Sequence, residues 1–171
     1  TNNLGFLPLF PMIIYALAAV FGGGDTFGIV YFFSGLVAAN LFFLAGLFVF
    51  FLLLRFDYSI RTSLTALIFL LAFPTSFFFA SIYSEGLFIL LSLSALYFAR
   101  KRRWLPASLF GLLSSITRIV GIAVIPAIII EFIILEKVTI KKIKDNPLSF
   151  ISKLLPLLLT PVGIIIYSLY N

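Results

Sequence analysis

The stretch FGIVYFFSGLVAANLFFLAGLFVFFLLL, Phe27 to Leu54, contains no formally charged side chain from its first residue to its last. A transmembrane helix needs about 20 consecutive apolar residues, so this stretch alone is long enough to cross a bilayer. The whole chain is similar: of its 171 residues, 63% are hydrophobic and 11% are charged. A soluble domain cannot bury so much apolar surface, because most of its outer shell faces water. The sequence therefore predicts an all-α fold, a polytopic bundle of transmembrane helices embedded in the lipid bilayer.

The charges are placed as in a membrane protein and not as in a nucleic-acid-binding protein. The net charge is +6, and the basic residues cluster in Arg55 to Arg61, Arg100 to Arg103 and Lys137 to Lys153, at the ends of apolar segments. Cytoplasmic loops carry such an excess of Lys and Arg, which also contacts anionic lipid. We therefore assign these clusters to the cytoplasmic side and expect no nucleic-acid partner. The chain has no cysteine and no histidine, so no metal site is predicted.

One membrane domain without an internal repeat accounts for the whole chain, which we interpret as an internal fragment of a longer protein. Phe6 to Phe21 reaches only about 24 Å as a helix, too short to cross a roughly 30 Å core. We expect it to lie in the membrane interface. The predicted elements are this interfacial helix at about 6–21 and membrane segments at about 27–54, 62–80, 84–99, 104–117, 119–135 and 148–170.

A second stretch, FPTSFFFASIYSEGLF from Phe73 to Phe88, breaks an apolar run with a proline, hydroxyl groups and Glu85. Glu85 lies 15 residues before Arg100, and Arg118 lies 15 residues after Arg103. Both are therefore about 22 Å from the cytoplasmic boundary, within the membrane core. A charge at such a depth needs a partner or a wet pocket. We predict an outward-facing cavity lined by Glu85, Arg118 and the hydroxyl groups of Thr75, Ser76, Ser81, Tyr83, Ser84 and Thr117.

The same residues also fit simpler interpretations. Ser84 and Glu85 also fit an ordinary helix start, with a capping serine and an acid in the first turn. Arg118 also fits a side chain that extends to the lipid headgroups, or one that pairs with Glu85 only to stabilise the fold. We expect Asp25 to be a surface turn residue. The remaining acidic residues are expected to be solvated counter-charges of the basic loops: Asp57, Glu131, Glu136 and Asp145.

The segment FPTSFFFASIYSEGLFILLSLSALYFARKRRWLPASLFGLLSSITRIVG, Phe73 to Gly121, resembles the PIG-V family of mannosyltransferases. That family has an F/N-P-[ST]-x-F-F segment, a Y-S-E-[GS]-L-F helix start, a basic turn before a tryptophan, and a T-R-x-x-G element. FLPLFP, Phe6 to Pro11, is similar to its F-F-P-x-[YF]-P segment. The resemblance covers roughly Phe6 to Ala127.

The resemblance implies a membrane glycosyltransferase of the GT-C superfamily. Such enzymes move mannose or a similar hexose from a polyprenyl- or dolichyl-phosphate carrier to a lipid or glycan acceptor, as in the mannosyltransferases of GPI-anchor biosynthesis. They act on the extracytoplasmic or lumenal side, in the plasma membrane of prokaryotes or the endoplasmic reticulum of eukaryotes. The lipid-phosphate sugar is a substrate; no cofactor is assigned, and metal dependence is left open.

Within that family, Arg118 is expected to bind the phosphate, and Glu85 to orient Arg118 or hold sugar hydroxyls. Tyr83, Ser84, Thr75 and Thr117 are expected to be further substrate contacts. The family's expected catalytic base is an aspartate in a W-D context, which has no counterpart here and is expected upstream of Thr1. This fragment is accordingly expected to be inactive alone. A transporter or lipid flippase, in which a broken helix and buried charges form the substrate site, is the main alternative; a non-catalytic membrane subunit is another.

Overall fold

The structure is a computed structural model that describes residues 7–22, 28–138, 147–159, 161–162 and 165. All regular elements in these residues are helical. The α-helices are α1 (Leu9–Val20), α2 (Ile29–Leu54), α3 (Ile60–Ala72), α4 (Phe77–Ala80), α5 (Glu85–Arg100), α6 (Trp104–Thr117), α7 (Val124–Glu136) and α8 (Pro147–Leu154). Two 3-10 helices, Ile119–Ala123 and Leu155–Leu159, precede α7 and follow α8. The all-α prediction is confirmed for this part of the chain; Asp25 and Asp145 lie outside it.

Two helical stretches are long and apolar enough to cross a membrane. One is α2, with 26 residues, and the other is the continuous stretch Ile119–Glu136, with 18 residues. The other helices also occupy apolar segments named above, and α6 has the predicted bounds. Most of the predicted last segment, after Leu159, lies outside the described residues. That these segments cross a membrane stays a prediction.

The predicted segment 62–80 is interrupted at Pro74. Helix α3 ends at Ala72, and Phe73 to Ser76 form a turn before the short helix α4. Proline cannot donate a backbone hydrogen bond, and it disfavours helical geometry in the residue before it. Phe73 is accordingly extended, with φ −67° and ψ 134°. The Ser76 hydroxyl donates to the carbonyl oxygens of Leu71 and Phe73. It thereby supplies a hydrogen-bond partner for backbone groups that the break leaves free.

Helices α5 and α6 form an antiparallel hairpin around the basic turn Lys101 to Arg103. Helix α5 ends in a Schellman motif, in which Arg103 N–H bonds to Phe98 O at 2.9 Å and Arg102 N–H to Ala99 O at 2.8 Å. Arg102 adopts the left-handed conformation, with φ 57°. A cation at this end also interacts favourably with the helix dipole. The hairpin therefore places its basic turn at the end opposite to Glu85 and Arg118.

The buried core combines large apolar side chains with many alanines, serines and glycines. Two clusters pack between the helices: Ala95, Ala99, Trp104, Ala107, Val124, Ile128, Phe132 and Leu157 in one, and Phe10, Ala38, Ala39, Leu87 and Leu91 in the other. Buried serines, including Ser108 and Ser114, continue the α5–α6 contact, and Ser92 and Ser114 share a hydrogen bond of 2.7 Å. Large apolar side chains meanwhile point outward; Phe48 is 63% exposed and Ile68 is 64% exposed. Small residues between the helices allow their backbones to approach closely.

Ion pairs connect the helices at the basic end of the hairpin. Arg100 pairs with Asp57, in the turn after α2, and with Glu131 on α7 at 3.3 Å. Lys153 on α8 pairs with Glu136 at 2.7 Å. The prediction of a solvated counter-charge is wrong for Glu136, which is only 7% exposed. It is buried because it lies on the side of α7 that faces α8. These acids join helices instead of only balancing loop charges.

Gly121 allows the chain to fold back after α6. A Cβ atom on this residue would lie against the backbone of Ser114 and Ser115, closer than side-chain carbons are normally found. The first turn of the 3-10 helix therefore packs directly on the last turn of α6, and Gly121 N–H bonds to Arg118 O at 2.8 Å. This close approach explains why a glycine follows Arg118 so closely in the sequence.

We expect Arg100→Ala to lower the free energy of unfolding by about 1–2 kcal/mol, between the values for exposed and buried ion pairs. The loss arises because Asp57 and Glu131 would lose the cation that joins them. Thermal unfolding of the purified protein measures it. Arg103→Ala is the matched control, since Arg103 is exposed in the same basic turn and should change the value by less than about 0.5 kcal/mol. Equal effects of both variants would contradict a specific role for the pairs.

Gly121→Ala is expected to destabilise the protein by about 1–3 kcal/mol, since rigid backbone must move to accept the methyl group. Gly46→Ala is the control, because its Cβ atom would lie 3.1 Å from Ile89 Cγ2 and 3.4 Å from the nearest backbone atom, a much looser fit than the contact with Ser114 O at Gly121. Thermal unfolding and the monodisperse yield of each variant compare the two. A Gly121→Ala protein as stable as Gly46→Ala would show that the fold-back tolerates a side chain.

Candidate functional site

A cavity of about 630 Å³ lies at the end of the helices opposite to the basic turn. The apolar part of its wall comes from α1 and from the 3-10 helix Ile119–Ala123. The polar part comes from the starts of α2 and α5 and the end of α6. The lining residues are Leu7, Phe10, Pro11, Ile14, Tyr31, Ile82, Tyr83, Ser84, Glu85, Thr117, Arg118, Ile119 and Val120. Five of the six residues expected to bind substrate are among them. The chain breaks before α5 and after α6 thus meet in one place.

Glu85 enters the cavity as the first residue of α5. The chain runs extended at Ser81, with ψ 166°, and turns at Ser84 into the helix. Ser84 makes no capping hydrogen bond through its side chain, so the interpretation of Ser84 as a capping serine is not supported. A carboxylate at this position is favoured by the helix dipole in any case. Its placement in the cavity follows from the irregular stretch of residues 81–83, in which Tyr83 N–H bonds to Ser81 O at 2.6 Å.

Arg118 reaches the cavity from the other chain break. It follows the last residue of α6 and has an extended backbone, with φ −148° and ψ 142°. The fold-back at Gly121 reverses the chain direction immediately after it, so that the side chain points to α5 and not along α6. The guanidinium group is held in place by Glu85, which lies far earlier in the sequence.

The ion pair between Arg118 Nη1 and Glu85 Oε1 is the centre of the site. The two side chains are 36% and 24% exposed, so the pair is accessible from the cavity without being fully solvated. Within the described residues, the other guanidinium nitrogens of Arg118 have no hydrogen-bond partner. Glu85 Oε2 is buried and also lacks a partner there. A buried polar atom without a partner indicates that water or a ligand completes the site. The pair therefore retains both donor and acceptor capacity.

The remaining polar residues surround this pair. Tyr83 is 47% exposed and its ring packs edge-on against Phe78, with 5.8 Å between the ring centroids. Thr117 is buried, and its hydroxyl donates to Leu113 O at 2.8 Å, which leaves an oxygen lone pair for a further contact. Ser84 lies between Tyr83 and Glu85 on the same wall.

Thr75 does not line this cavity, contrary to the expectation from the sequence. Helix α4 and Ser81 lie between the Pro74 turn and the cavity wall, so Thr75 stays exposed at the break. Ser76 and Ser81 do not line the cavity either. Their hydroxyls donate to backbone carbonyls, that of Ser81 to Phe77 O at 2.9 Å. These hydroxyl groups therefore hydrogen-bond to the backbone around the helix break and do not contribute to the cavity.

Sequence reasoning missed one whole wall of the cavity. Phe10, Pro11 and Ile14 of α1 and Tyr31 of α2 line it, although the sequence indicates only an interfacial position for the first helix. It also missed Asn40, a single amide within apolar α2, whose side chain donates to Ala80 O at 3.0 Å. An amide in an otherwise apolar helix is a signal that could have identified Asn40, because it is costly unless hydrogen-bonded. No comparable signal distinguishes the apolar residues of α1.

No cluster of three or more acidic, histidine or cysteine side chains that could bind a metal occurs among the described residues.

Comparison with known proteins gives one match. No curated protein and no solved structure matches the chain. The model of the family described as mannosyltransferase (PIG-V) matches residues 2–170. This match covers nearly the whole sequence, so the chain belongs to the PIG-V family of mannosyltransferases and has a glycosyltransferase role.

Proposed function

We propose that this protein is a multi-pass membrane enzyme that transfers mannose from a polyprenyl-phosphate carrier to a lipid or glycan acceptor on the extracytoplasmic side. The observation that carries the proposal is the Glu85–Arg118 pair in a partly apolar cavity, in a chain of a mannosyltransferase family. A polyprenyl-phosphate sugar has parts that match this cavity, because its anionic phosphate lies between a polar sugar and a hydrocarbon chain.

A membrane location is supported by the distribution of side chains. Small residues fill the contacts between helices, and large apolar residues such as Phe48 and Ile68 face outward. Lipid tails are as apolar as these side chains, so in a bilayer their exposure has no cost, whereas in water it would. The two long apolar stretches, α2 and Ile119–Glu136, agree with this location.

The extracytoplasmic side is supported by the separation of charge along the helices. Helix α5 begins at Glu85 in the cavity and ends at Arg100 beside the basic turn, about 22 Å away. Helices α2 and α7 are also followed directly by basic residues, Arg55 and Lys137, at the end away from the cavity. Because basic residues remain on the cytoplasmic side, the cavity opens to the other side.

Arg118 has the properties required to bind the phosphate of the donor. In the reaction, a hydroxyl oxygen of the acceptor bonds to the anomeric carbon of mannose, the bond from that carbon to the phosphate oxygen breaks, and the phosphate leaves with the electron pair. The phosphate gains negative charge as it leaves, so a fixed cation beside it lowers the barrier. Arginine keeps its charge and can donate to two phosphate oxygens at once. Glu85 holds the guanidinium through one nitrogen and leaves the others for the ligand.

The apolar wall supports a role in holding the lipid part of the donor. Phe10 and Ile14 of α1 line the cavity together with Ile119 and Val120 of the 3-10 helix. The side chains of these last two residues are more than half exposed. Such surfaces suit the first isoprene units after the phosphate. Removal of the acceptor's hydroxyl proton is not assigned to a described residue, since Glu85 is engaged by Arg118.

Arg118→Ala is expected to reduce mannose transfer from polyprenyl-phosphate-mannose at least tenfold in the intact protein. A hydrogen bond to a charged group contributes about 1.5–3 kcal/mol, and about 1.4 kcal/mol corresponds to tenfold in rate. Arg118→Lys should recover only part of the loss, because an ammonium group lacks the two-point geometry. Glu85→Gln should also lose at least tenfold, because it weakens the hold on Arg118. Transfer of radiolabelled mannose in membranes measures these rates.

Arg103→Ala provides the matched arginine control and should retain normal transfer. Near-normal rates for Arg118→Ala and Glu85→Gln, at wild-type protein levels, would contradict the site assignment. Uptake of the labelled lipid into vesicles without any transfer would favour the transporter interpretation and overturn the enzymatic one.

The proposed orientation is tested by cysteine labelling, for which a chain without cysteine is well suited. In intact cells, a membrane-impermeant thiol reagent should label Ser84→Cys, at the cavity, before permeabilisation. It should label Arg103→Cys, at the basic turn, only after permeabilisation. The reverse pattern would place the cavity on the cytoplasmic side and exclude the proposed orientation.

A further inference from the structure

Asn40 lies on α2, outside the cavity, and its side chain contacts the segment that forms the cavity wall. The Nδ2 group donates to Leu36 O within its own helix at 2.8 Å and to Ala80 O at 3.0 Å. The bond to Leu36 already satisfies one N–H of the amide inside the helix. The second bond is additional, and it joins two parts of the chain that are far apart in sequence.

Ala80 needs such a donor because α4 is only a single turn long. The backbone becomes extended at Ser81, so no following helical turn supplies an N–H for the Ala80 carbonyl. Asn40 supplies it from the neighbouring helix. The bond fixes the point where the wall segment Ser81 to Ser84 leaves α4 and rises towards the cavity.

Other contacts with α2 fix the same segment along its length. The rings of Phe43 and Phe79 stack below Asn40, with centroids 5.2 Å apart. Above it, Ile82 packs so closely on Gly35 that a Cβ atom there would lie 2.7 Å from Ile82 Cγ2. The segment thus runs antiparallel to α2, and its order of contacts follows the order of residues on the helix.

Gly86 fixes the far end of the segment, directly after Glu85. A Cβ atom on Gly86 would lie 2.9 Å from Ala39 O and 3.0 Å from Phe79 O. The first turn of α5 therefore rests against the backbones of α2 and α4 together. Glu85 is held between this contact on one side and the Asn40–Ala80 bond on the other.

We propose that Asn40 is a positioning residue of the candidate site: by holding Ala80, it places the wall segment so that Glu85 meets Arg118 and keeps the guanidinium directed at the donor phosphate. This role rests on the proposed function. Asn40 itself does not touch the ligand; it acts through Glu85. A purely structural amide would affect the stability of the protein and not the affinity of one substrate.

Asn40→Leu removes both donors at similar volume and is the first test. We expect the KM for polyprenyl-phosphate-mannose to rise at least fivefold in protein of near wild-type yield, beside a lower unfolding temperature caused by the Ala80 carbonyl that has lost its donor. Asn40→Ser is the second variant, since its hydroxyl can bond within α2 but is too short to reach Ala80; the same rise in KM is expected. Ser92→Ala is the matched control: it removes the bond between Ser92 and Ser114, another polar contact between helices, and should leave KM within twofold.

A double-mutant cycle tests whether Asn40 acts through Glu85. If it does, Asn40→Leu combined with Glu85→Gln should be no more than twofold worse than Glu85→Gln alone, because the two changes disrupt one arrangement. Fully multiplied effects would overturn the proposal, and so would an unchanged KM in both Asn40 variants.

Cysteine reactivity tests the placement without any enzymatic assay. In a Ser84→Cys background, Asn40→Leu should change the rate of thiol labelling at least threefold, whereas Ser92→Ala should not. Equal rates with and without Asn40→Leu would overturn the proposal. If the labelling change is seen but the protein with native Ser84 and Asn40 transfers no mannose, the proposed function is contradicted and the positioning of the segment stands.

Discussion

The structure depends on satisfying the backbone and side-chain polar groups where apolar helices break. The chain breaks between α3 and α5 and again after α6, and each break frees carbonyl and N–H groups in an apolar region. Serine hydroxyls, the Asn40 amide and the Gly121 N–H provide partners for carbonyl groups at these breaks. The charged residues next to the breaks, Glu85 and Arg118, pair with one another. The site is therefore a consequence of how the breaks are accommodated, and not a separate addition to a helical bundle.

Much of this arrangement could be predicted from particular residues. Pro74 predicts the break, and the equal spacings of Glu85 and Arg118 from the basic turn predict that both lie at one level. Those spacings are reliable because helix rise is constant and the basic turn fixes where α5 ends and α6 begins. The helices α5 and α6 do form the hairpin that this argument requires, and the two side chains meet.

The rest could not be predicted, because it depends on which faces of the helices turn towards each other. Helix α1 is apolar on all sides, so its sequence does not indicate that Phe10 and Ile14 line a cavity. Thr75 and Ser84 are both hydroxyl residues near a break, yet only Ser84 lies in the irregular segment that lines the cavity. Glu136 stands beside basic residues in sequence, but the rotation of α7 buries it against α8. Depth is encoded in sequence distance, whereas rotation about the helix axis is not.

The two groups of ion pairs have different physical roles. At the basic end, Arg100 is shared by two carboxylates from different parts of the chain, so the contact stabilises the packing of the helices. In the cavity, Arg118 meets one oxygen of one carboxylate, and both partners keep unused hydrogen-bonding groups. A neutral pair in an apolar cavity attracts an anion weakly from a distance, because the two charges offset each other. An incoming phosphate would instead be bound at contact range, by donors that Glu85 has already oriented, so that less side-chain freedom is lost on binding. Selectivity at this site would then come from geometry more than from net charge, and the backbone contacts that hold Glu85 would matter as much as the charges themselves.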